Sequence, residues 1–419
     1  MKVLVVGSGG REHAIVWKLS QSQRIDKIYC APGNGGISEY AECLPIGVLD
    51  TEGIIKACKD KNIELVVVAP DDPLANGMVN ELERAGIRAF GPTQEAALIE
   101  SSKSFSKNLM KKYNIPTAEF EIFDDMNTAL NYIENQKYPL VVKADGLALG
   151  KGVIICENKD EAQNAIINIM DQKQFGEAGN TIVIEEFLTG PEISILAFTD
   201  GNTIVPMVSS QDHKRALDGD KGLNTGGMGA FSPSQFYTED MAEFCMDNIF
   251  LPTIDAMNKE GRSFKGVLYF GLIITQAGPK VLEYNARFGD PETQVVLPRL
   301  NSDLLDIMDA VIDGQLHKLN IQWDDSACIC VIMASGGYPQ DYQKGFRITG
   351  LETIKDKEGI FVFHAGTKKV GNEYYTNGGR VLGITTMGEN LNEARDKAYK
   401  QISAIHFDGA YYRSDIGKK

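Results

Sequence analysis

The sequence reads as a multidomain protein of mixed α/β and α+β class: a doubly wound N-terminal domain, a central phosphate-binding core and a small α+β C-terminal domain. Three observations carry that reading. A strand, a Gly turn and a helix follow one another from Lys2 to Leu19, Gly-rich segments stand beside lysines through the middle, and short strands alternate with Gly turns after Asn301. At 419 residues the chain exceeds one simple core, and length alone suggests about three domains.

Residues 2–6 (KVLVV) predict a buried strand, GSGG at 7–10 a turn, and Arg11 to Leu19 a helix. Further strands are expected at 27–30, 65–69 and 88–90, with helices near 51–60 and 74–85. Gly7, Gly9 and Gly10 suit a strand-to-helix phosphate turn, but Glu12 stands where a dinucleotide fingerprint needs its third Gly. That counts against a nicotinamide dehydrogenase. The turn can still offer amides at a helix N-terminus to a sugar phosphate, with Arg11 as a charged donor, or serve only tight strand-helix packing.

Pro92 breaks the chain, and 101–116 predicts a helix with Lys103, Lys107 and Lys111 four apart, a spacing that usually marks a solvated face. In PLVVKADGLALGKGVIIC (139–156) a strand ends in Lys143, a Gly-punctuated loop follows, and a second strand returns. Gly146, Gly150 and Gly152 allow close backbone approach, and Lys143 and Lys151 supply the charge that phosphate oxygens need. A strand over 181–188 runs into Glu185 and Glu186, where a strand edge can present backbone groups to an adenine, with Glu192 beyond it for ribose hydroxyls. Residues 209–233 form a long polar Gly-rich loop, with Asp212, His213, Lys214 and Arg215 clustered and 224–229 resembling an anion nest. A helix over 238–258 and strands over 265–274 and 279–285 follow.

The densest chemistry lies in KVLEYNARFGDPETQ, 280–294. If the strand continues to Asn285, Glu283 and Asn285 leave one face as two oxygen donors. So sparse a pair suits a magnesium ion that brings phosphate oxygens better than a calcium cage. The octet 287–294 then adds one cation, two carboxylates, a Gly and a Pro.

After Asn301 a helix (302–314) leads to strands at 326–334, 360–365 and 381–386 and a final helix near 389–405. GGYP (336–339) and TNGGR (376–380) read as turn chemistry without a catalytic role. The seven Cys, at 30, 43, 58, 156, 245, 328 and 330, form no CxxC, and Cys328 and Cys330 read as one face of a buried strand. A net charge of −15 argues against nucleic acid or an anionic membrane as partner, so any phosphate must be held by local cations and amides. With no run of 18 apolar residues and no signal-peptide pattern, the expectation is a cytoplasmic protein.

Lys143, the Gly-rich flap, the strand ending in Glu185 and Glu186, and the late Glu283-x-Asn285, in that order, resemble the ATP-grasp superfamily. Within it RFGDPETQ, SQDHKR, NTGGMGA, KADGLALGKGV, VGSGGREHA and FHAGT resemble the glycinamide ribonucleotide synthetase family, the phosphoribosylamine–glycine ligases, along essentially the whole chain. The resemblance implies three domains: 1–101, an ATP-grasp core over 102–325 with a flap at about 117–188, and 326–419. No later-pathway module is expected after Lys419. The implied reaction joins glycine to 5-phosphoribosylamine, with ATP activating glycine as an acyl phosphate. The implied cofactors are ATP and Mg2+, with Mn2+ able to substitute, and the chain is expected to be a monomer or weak homodimer.

On this resemblance Lys103 and Lys143 hold phosphates, the flap with Gly146, Gly150, Lys151 and Gly152 closes over them, Glu283 and Asn285 hold metal, Glu185, Glu186 and Leu188 frame adenine, and Glu192 meets ribose. Arg287 is the residue for the acyl phosphate or the glycine carboxylate. Asp212, Lys214, Asp290, Pro291 and Glu292 serve the catalytic and amine-binding side, and Gly9, Gly10 and Arg11 the sugar phosphate. One departure is Gly271 in LYFGLII, where many superfamily members place a further metal carboxylate. An ATP-grasp carboxylase or formate-dependent transferase is the neighbouring alternative; it should lack RFGDPETQ.

Overall fold

The apolar run at residues 3–6 must be buried, and the computed structural model, which describes residues 1–147, 152–354 and 357–418, places it at the centre of the first sheet. β1 (Lys2–Gly7) is followed by α1 (Gly10–Leu19), β2 (Lys27–Pro32), β3 (Glu42–Cys43), α2 (Thr51–Lys61), β4 (Leu65–Val68), α3 (Asp71–Ala75), α4 (Met78–Arg84), β5 (Arg88–Phe90) and α5 (Gln94–Ser101). The strands are parallel in the order β3-β2-β1-β4-β5, the doubly wound sheet expected. Leu4 and Val6 enter the core on one face, Val3 and Val5 that on the other, so the strand is apolar without alternation. Winding reverses between β1 and β4, which brings residues 7–10 and 69–71 to one switch point, where such sheets take ligands. The helix α5, beyond the break at Pro92, was not expected from the sequence; the Thr93 hydroxyl caps it.

The chain continues through α6 (Lys103–Lys112), β6 (Phe120–Phe123), α7 (Met126–Ile133), β7 (Leu140–Ala144), β8 (Val153–Cys156), α8 (Lys159–Met170) and β9 (Ile182–Glu186). The antiparallel sheet β6-β9-β7-β8 has its own core, with Ala129 and Ile133 of α7 and Ala162 and Ile166 of α8 packed on Leu140, Val142 and Ile184.

Next come β10 (Glu192–Thr199), β11 (Ile204–Pro206), β12 (Gln211–Asp212), β13 (Arg215–Leu217), β14 (Lys221–Asn224) and β15 (Gly229–Ser232), then α9 (Glu239–Cys245), a π-helical turn (Met246–Phe250), α10 (Leu251–Lys259), β16 (Gly266–Thr275) and β17 (Gly278–Asn285). β11-β10-β16-β17 is an antiparallel sheet. The expected loop at 209–233 is therefore four short strands. Each spans only two to four residues, too few to show a period, and Gly and charged residues hide their pairing.

The remainder consists of α11 (Thr293–Val296), α12 (Leu304–Ile312), β18 (Ala327–Ala334), β19 (Arg347–Ile348), β20 (Ile360–His364), β21 (Thr367–Val370), β22 (Glu373–Thr376), β23 (Arg380–Gly388) and α13 (Leu391–Ile402). The sheet β12-β15-β18-β23-β20 draws two strands from the middle of the chain, so the C-terminal layer is welded to the residues around Asp212. The small sheet β19-β22-β21 was not expected; its strands are polar and half-exposed. Cys328 and Cys330 are buried free thiols on β18, as the pattern implied. Among the described residues no helix is long and apolar enough to cross a membrane.

α1 packs against β20, with Trp17 4.8 Å from Phe361 between ring centroids, and His13 Nδ1 accepts the His364 N–H at 2.7 Å. Burial pushes His364 down to about 4 from its ordinary 6.5, and burial with the neighbouring His364 ring holds His13 low as well. As pH falls below about 6.5 the unfolded chain takes up protons that the folded chain refuses, so stability contributed by the neutral pair is lost between that value and about 4. For His364 alone this amounts to roughly 3 kcal/mol. We expect the stability gap between the wild type and His364→Gln in urea unfolding to shrink by about that much from pH 7 to pH 4. A gap independent of pH would contradict the assignment.

Candidate active site

β17 pairs with β16 and runs to Asn285, so Glu283 and Asn285, two apart, leave one face of the strand as the alternation demanded. Gly271 lies opposite Glu283, and a Cβ there would stand 3.1 Å from Glu283 Cγ, so any side chain at this position would crowd that of Glu283. Burial acts to raise the Glu283 pKa, but Lys214, Lys143, Lys103 and Arg287 outweigh it and hold the group below the ordinary carboxylate value. Lys214 Nζ is 3.6 Å from Glu283 Oε1 and 3.2 Å from Glu192 Oε2.

α6 faces this edge. Its expected solvated lysine row is corrected: Lys111 is exposed, but Lys107 is buried and Lys103 is turned inward, its Nζ donating to Gly146 O at 2.9 Å. The reason is a buried counter-charge. Glu185 Oε2 lies 3.0 Å from Lys107 Nζ and 2.9 Å from Lys143 Nζ. Glu185 thus faces inward to the lysines, while Glu186 Oε1 accepts from Glu119 N and Lys280 Nζ at 3.0 and 2.9 Å. Leu188 follows β9 half-exposed. Gly152 is buried, its carbonyl accepting from Ala144 N; Gly150 and Lys151 lie outside the described residues.

Arg287 ties this edge to the first sheet. Its Nη2 is 2.9 Å from Glu100 Oε1 and 3.6 Å from Asp71 Oδ2, and its Nη1 donates to Asn285 Oδ1 at 3.2 Å. Burial works against its charge, but Glu100 and Asp71 raise its pKa above the ordinary value, and Nε is buried without a hydrogen-bond partner. Neither acid was singled out from the sequence, although Asp71 comes three residues after Val68, the end of β4. Beside Arg287, Ser194 Oγ is 2.8 Å from Tyr269 Oη and donates to Glu292 Oε1 at 3.3 Å. Burial pushes Asp212 up to about 7, Lys214 opposing and Glu292 and Glu192 adding to the rise.

The third part is a cleft of about 440 Å³ lined by Ser8, Gly9, Asn34, Asp290, Thr367 and Arg380 among others. Gly9 N donates to Glu12 Oε2 at 2.5 Å, and Arg11 contacts Glu12 Oε1 at 2.6 Å and Phe288 O at 3.1 Å. The helix terminus at Gly9 and Gly10 is thus already faced by a carboxylate. Asp290 Oδ2 pairs with Arg380 Nη2 at 2.9 Å. Pro291 seats on Gly227, where a Cβ would come within 2.4 Å of Pro291 Cδ.

Two readings are corrected here. Residues 224–229 are no anion nest: Gly226 N donates to Tyr338 Oη, Gly227 N to Thr225 Oγ1 and Met228 N to His213 O, while the Gly226 and Gly227 carbonyls accept from Arg380. GGYP and TNGGR are not turns alone, since Tyr338, Asn377 and Arg380 line the cleft. Turn-like sequence concealed them, and an Arg directly after Gly-Gly is the one signal that could have marked the second.

The donor set fits a divalent ion that arrives with phosphate. Glu283 and Asn285 supply two hard oxygens, and no cluster of three or more His, Cys, Asp or Glu suited to a metal exists among the described residues. The lysines around Glu283 would disfavour a bare cation and favour one bound to a polyphosphate.

Comparison with known proteins gives the family. Profiles of the phosphoribosylglycinamide synthetase family match in three parts: the N domain at residues 1–100, the ATP-grasp (A) domain at 101–293 and the C domain at 328–419. The phosphoribosylamine–glycine ligase of Halalkalibacterium halodurans is 48% identical over 100% of this chain and 97% of its own. The crystal structure of the phosphoribosylamine–glycine ligase from Thermotoga maritima, 34% identical, superposes with a TM-score of 0.88 over 99% of this chain and 100% of that one. Biotin carboxylase from Campylobacter jejuni, 15% identical, has a TM-score of 0.77 over 100% of this chain and 94% of its own and shares the fold alone. With profiles matching residues 1–293 and 328–419 in sequence order, the chain belongs to the phosphoribosylglycinamide synthetase family, with an ATP-grasp core between its N and C domains.

Proposed function

We propose that the chain ligates glycine to 5-phosphoribosylamine at the expense of ATP, giving glycinamide ribonucleotide, ADP and phosphate in purine biosynthesis. One observation supports this above the others: residues 285–292 lie between the lysine-lined edge and the cleft, with Arg287 bonded to Asn285 and Asp290 paired to Arg380. A reaction that activates a carboxylate at one end and delivers a ribosylamine at the other needs that bridge. The working domain boundaries are 1–101, 102–325 and 326–419, and the setting is cytoplasmic, as a monomer or weak homodimer.

Chemistry assigns the roles. A carboxylate is a poor electrophile, so glycine first takes the γ-phosphoryl group through a carboxylate oxygen, forming glycyl phosphate and releasing ADP. The amine of phosphoribosylamine then attacks the carbonyl carbon, phosphate leaves and the amine gives up a proton. Lys103 and Lys143 hold phosphate oxygens, with Gly146, Gly150, Lys151 and Gly152 as the covering flap. Glu185, Glu186 and Leu188 frame the base and Glu192 the ribose. Glu283 and Asn285 hold Mg2+, for which Mn2+ can substitute; the ion supplies charge neutralisation at the phosphates. Arg287 grips the glycine carboxylate as a two-pronged donor. Asp212, Lys214 and Glu292 surround the ammonium side, and Asp212, pushed up to about 7, is poised to accept the released proton. Gly9, Gly10, Arg11, Asp290 and Pro291 shape the sugar-phosphate cleft, with Arg380 as its cation.

Glu283→Gln is expected to lower kcat at least a hundredfold and shift the Mg2+ requirement upward with the thermal melt unchanged; unaltered turnover at limiting Mg2+ refutes the metal role. Arg287→Lys is expected to lose two orders of magnitude in kcat/KM, on the order of 3 kcal/mol. A loss under fivefold makes the residue structural. Arg380→Met should raise KM for phosphoribosylamine at least tenfold while KM for ATP moves less than threefold, measured by ADP release; equal changes in both would remove it from the sugar-phosphate cleft.

A further inference from the structure

Lys107 has no part in the reading above, yet it is one of the largest fully buried side chains in the protein. It reaches Glu185 from the α6 side at 3.0 Å, while Lys143 reaches the same oxygen, Oε2, from β7 at 2.9 Å. One carboxylate therefore serves two ammonium groups, and its other oxygen, Oε1, is buried with no hydrogen-bond partner. Lys107 Nζ also donates to Thr117 Oγ1 at 2.8 Å, and that hydroxyl donates to Val281 O at 2.7 Å. Lys143 Nζ bonds the next carbonyl, Leu282 O, at 3.3 Å. Both lysines are thus fastened to the strand that carries Glu283.

The arrangement has a consequence for nucleotide binding. A Lys143 ammonium that turns to a phosphate oxygen must give up attraction to Glu185, and a buried carboxylate left alone is strongly unfavourable. A second cation on the same oxygen removes that obstacle. Burial lowers Lys107 to about 8, with Glu185 pulling it back up, so it carries charge at neutral pH.

We propose that Lys107 is a positioning residue for the nucleotide: by keeping Glu185 paired from inside the protein it frees Lys143 for phosphate, and through Thr117 it fixes β9 against β17. The inference rests on the reading that Lys143 meets the nucleotide phosphates. Steady-state kinetics on four variants separates the two. Lys143→Met tests the underlying reading, which fails if KM for MgATP is unchanged. Lys107→Met is expected to raise KM for MgATP at least tenfold, with kcat falling less than threefold and KM for glycine within twofold. With Glu185→Gln there is no anion to hold, so the double variant Lys107→Met/Glu185→Gln should match Glu185→Gln within twofold in KM for MgATP. A purely structural lysine would not be relieved by removing its partner's charge. The proposal is overturned if Lys107→Met leaves KM for MgATP within threefold while Lys143→Met raises it, or if Lys107→Met still costs tenfold in the Glu185→Gln background. Should Lys107→Met alone fail to fold, the double variant, which leaves no unpaired buried carboxylate, decides the matter by the same comparison.

Discussion

The Arg287 guanidinium is the constraint on which the rest of the site depends. It sits after the last residue of β17, is anchored by Glu100 and Asp71 from the first sheet, and reaches back to Asn285. A buried cation with two acids behind it cannot drift, and its position fixes the end of the strand that bears Glu283. Because Asp71 lies at the switch point of the doubly wound sheet, the ligand-taking end of the first sheet and the late strand become one surface. The C-terminal layer closes the other side, where Arg380 pairs with Asp290 and gathers the carbonyls of Gly226 and Gly227.

Charge is concentrated in this region against the average of the chain. The protein carries a net −15, yet Lys103, Lys107, Lys143 and Lys214 converge on Glu185 and Glu283. Long-range steering of a polyphosphate gains nothing from such a surface, so affinity must come from short-range ammonium contacts in a partly desolvated pocket. Holding four lysines together requires acids among them, and those acids must then be kept paired when a ligand competes. The sharing of Glu185 by two lysines is one solution to that requirement.

The parts legible in the sequence were those with a long period or a dense cluster of chemistry. The apolar runs of β1 and β4 gave the parallel sheet, and the alternation through Glu283 and Asn285 gave the shared face. What could not be read was set by contacts distant along the chain. Lys107 looked solvated because a spacing of four says which side of a helix a residue lies on but not what that side meets. The strands between 211 and 232 were too short to alternate, and β15, the last of them, pairs with β18, which begins at Ala327. Arg380 stood in a Gly-rich turn whose local chemistry accounted for every residue except its charge. Glu100 belongs to a helix hidden behind Pro92, and nothing local marks it as the partner of Arg287.

The most direct measurement is a crystal structure of the enzyme with Mn2+, a non-hydrolysable ATP analogue and glycine, located by anomalous scattering from the metal. The account requires the metal peak on the Glu283 and Asn285 oxygens, with the glycine carboxylate hydrogen-bonded to Arg287 beside the terminal phosphate. A metal bound elsewhere, or glycine seated away from Arg287, would contradict it.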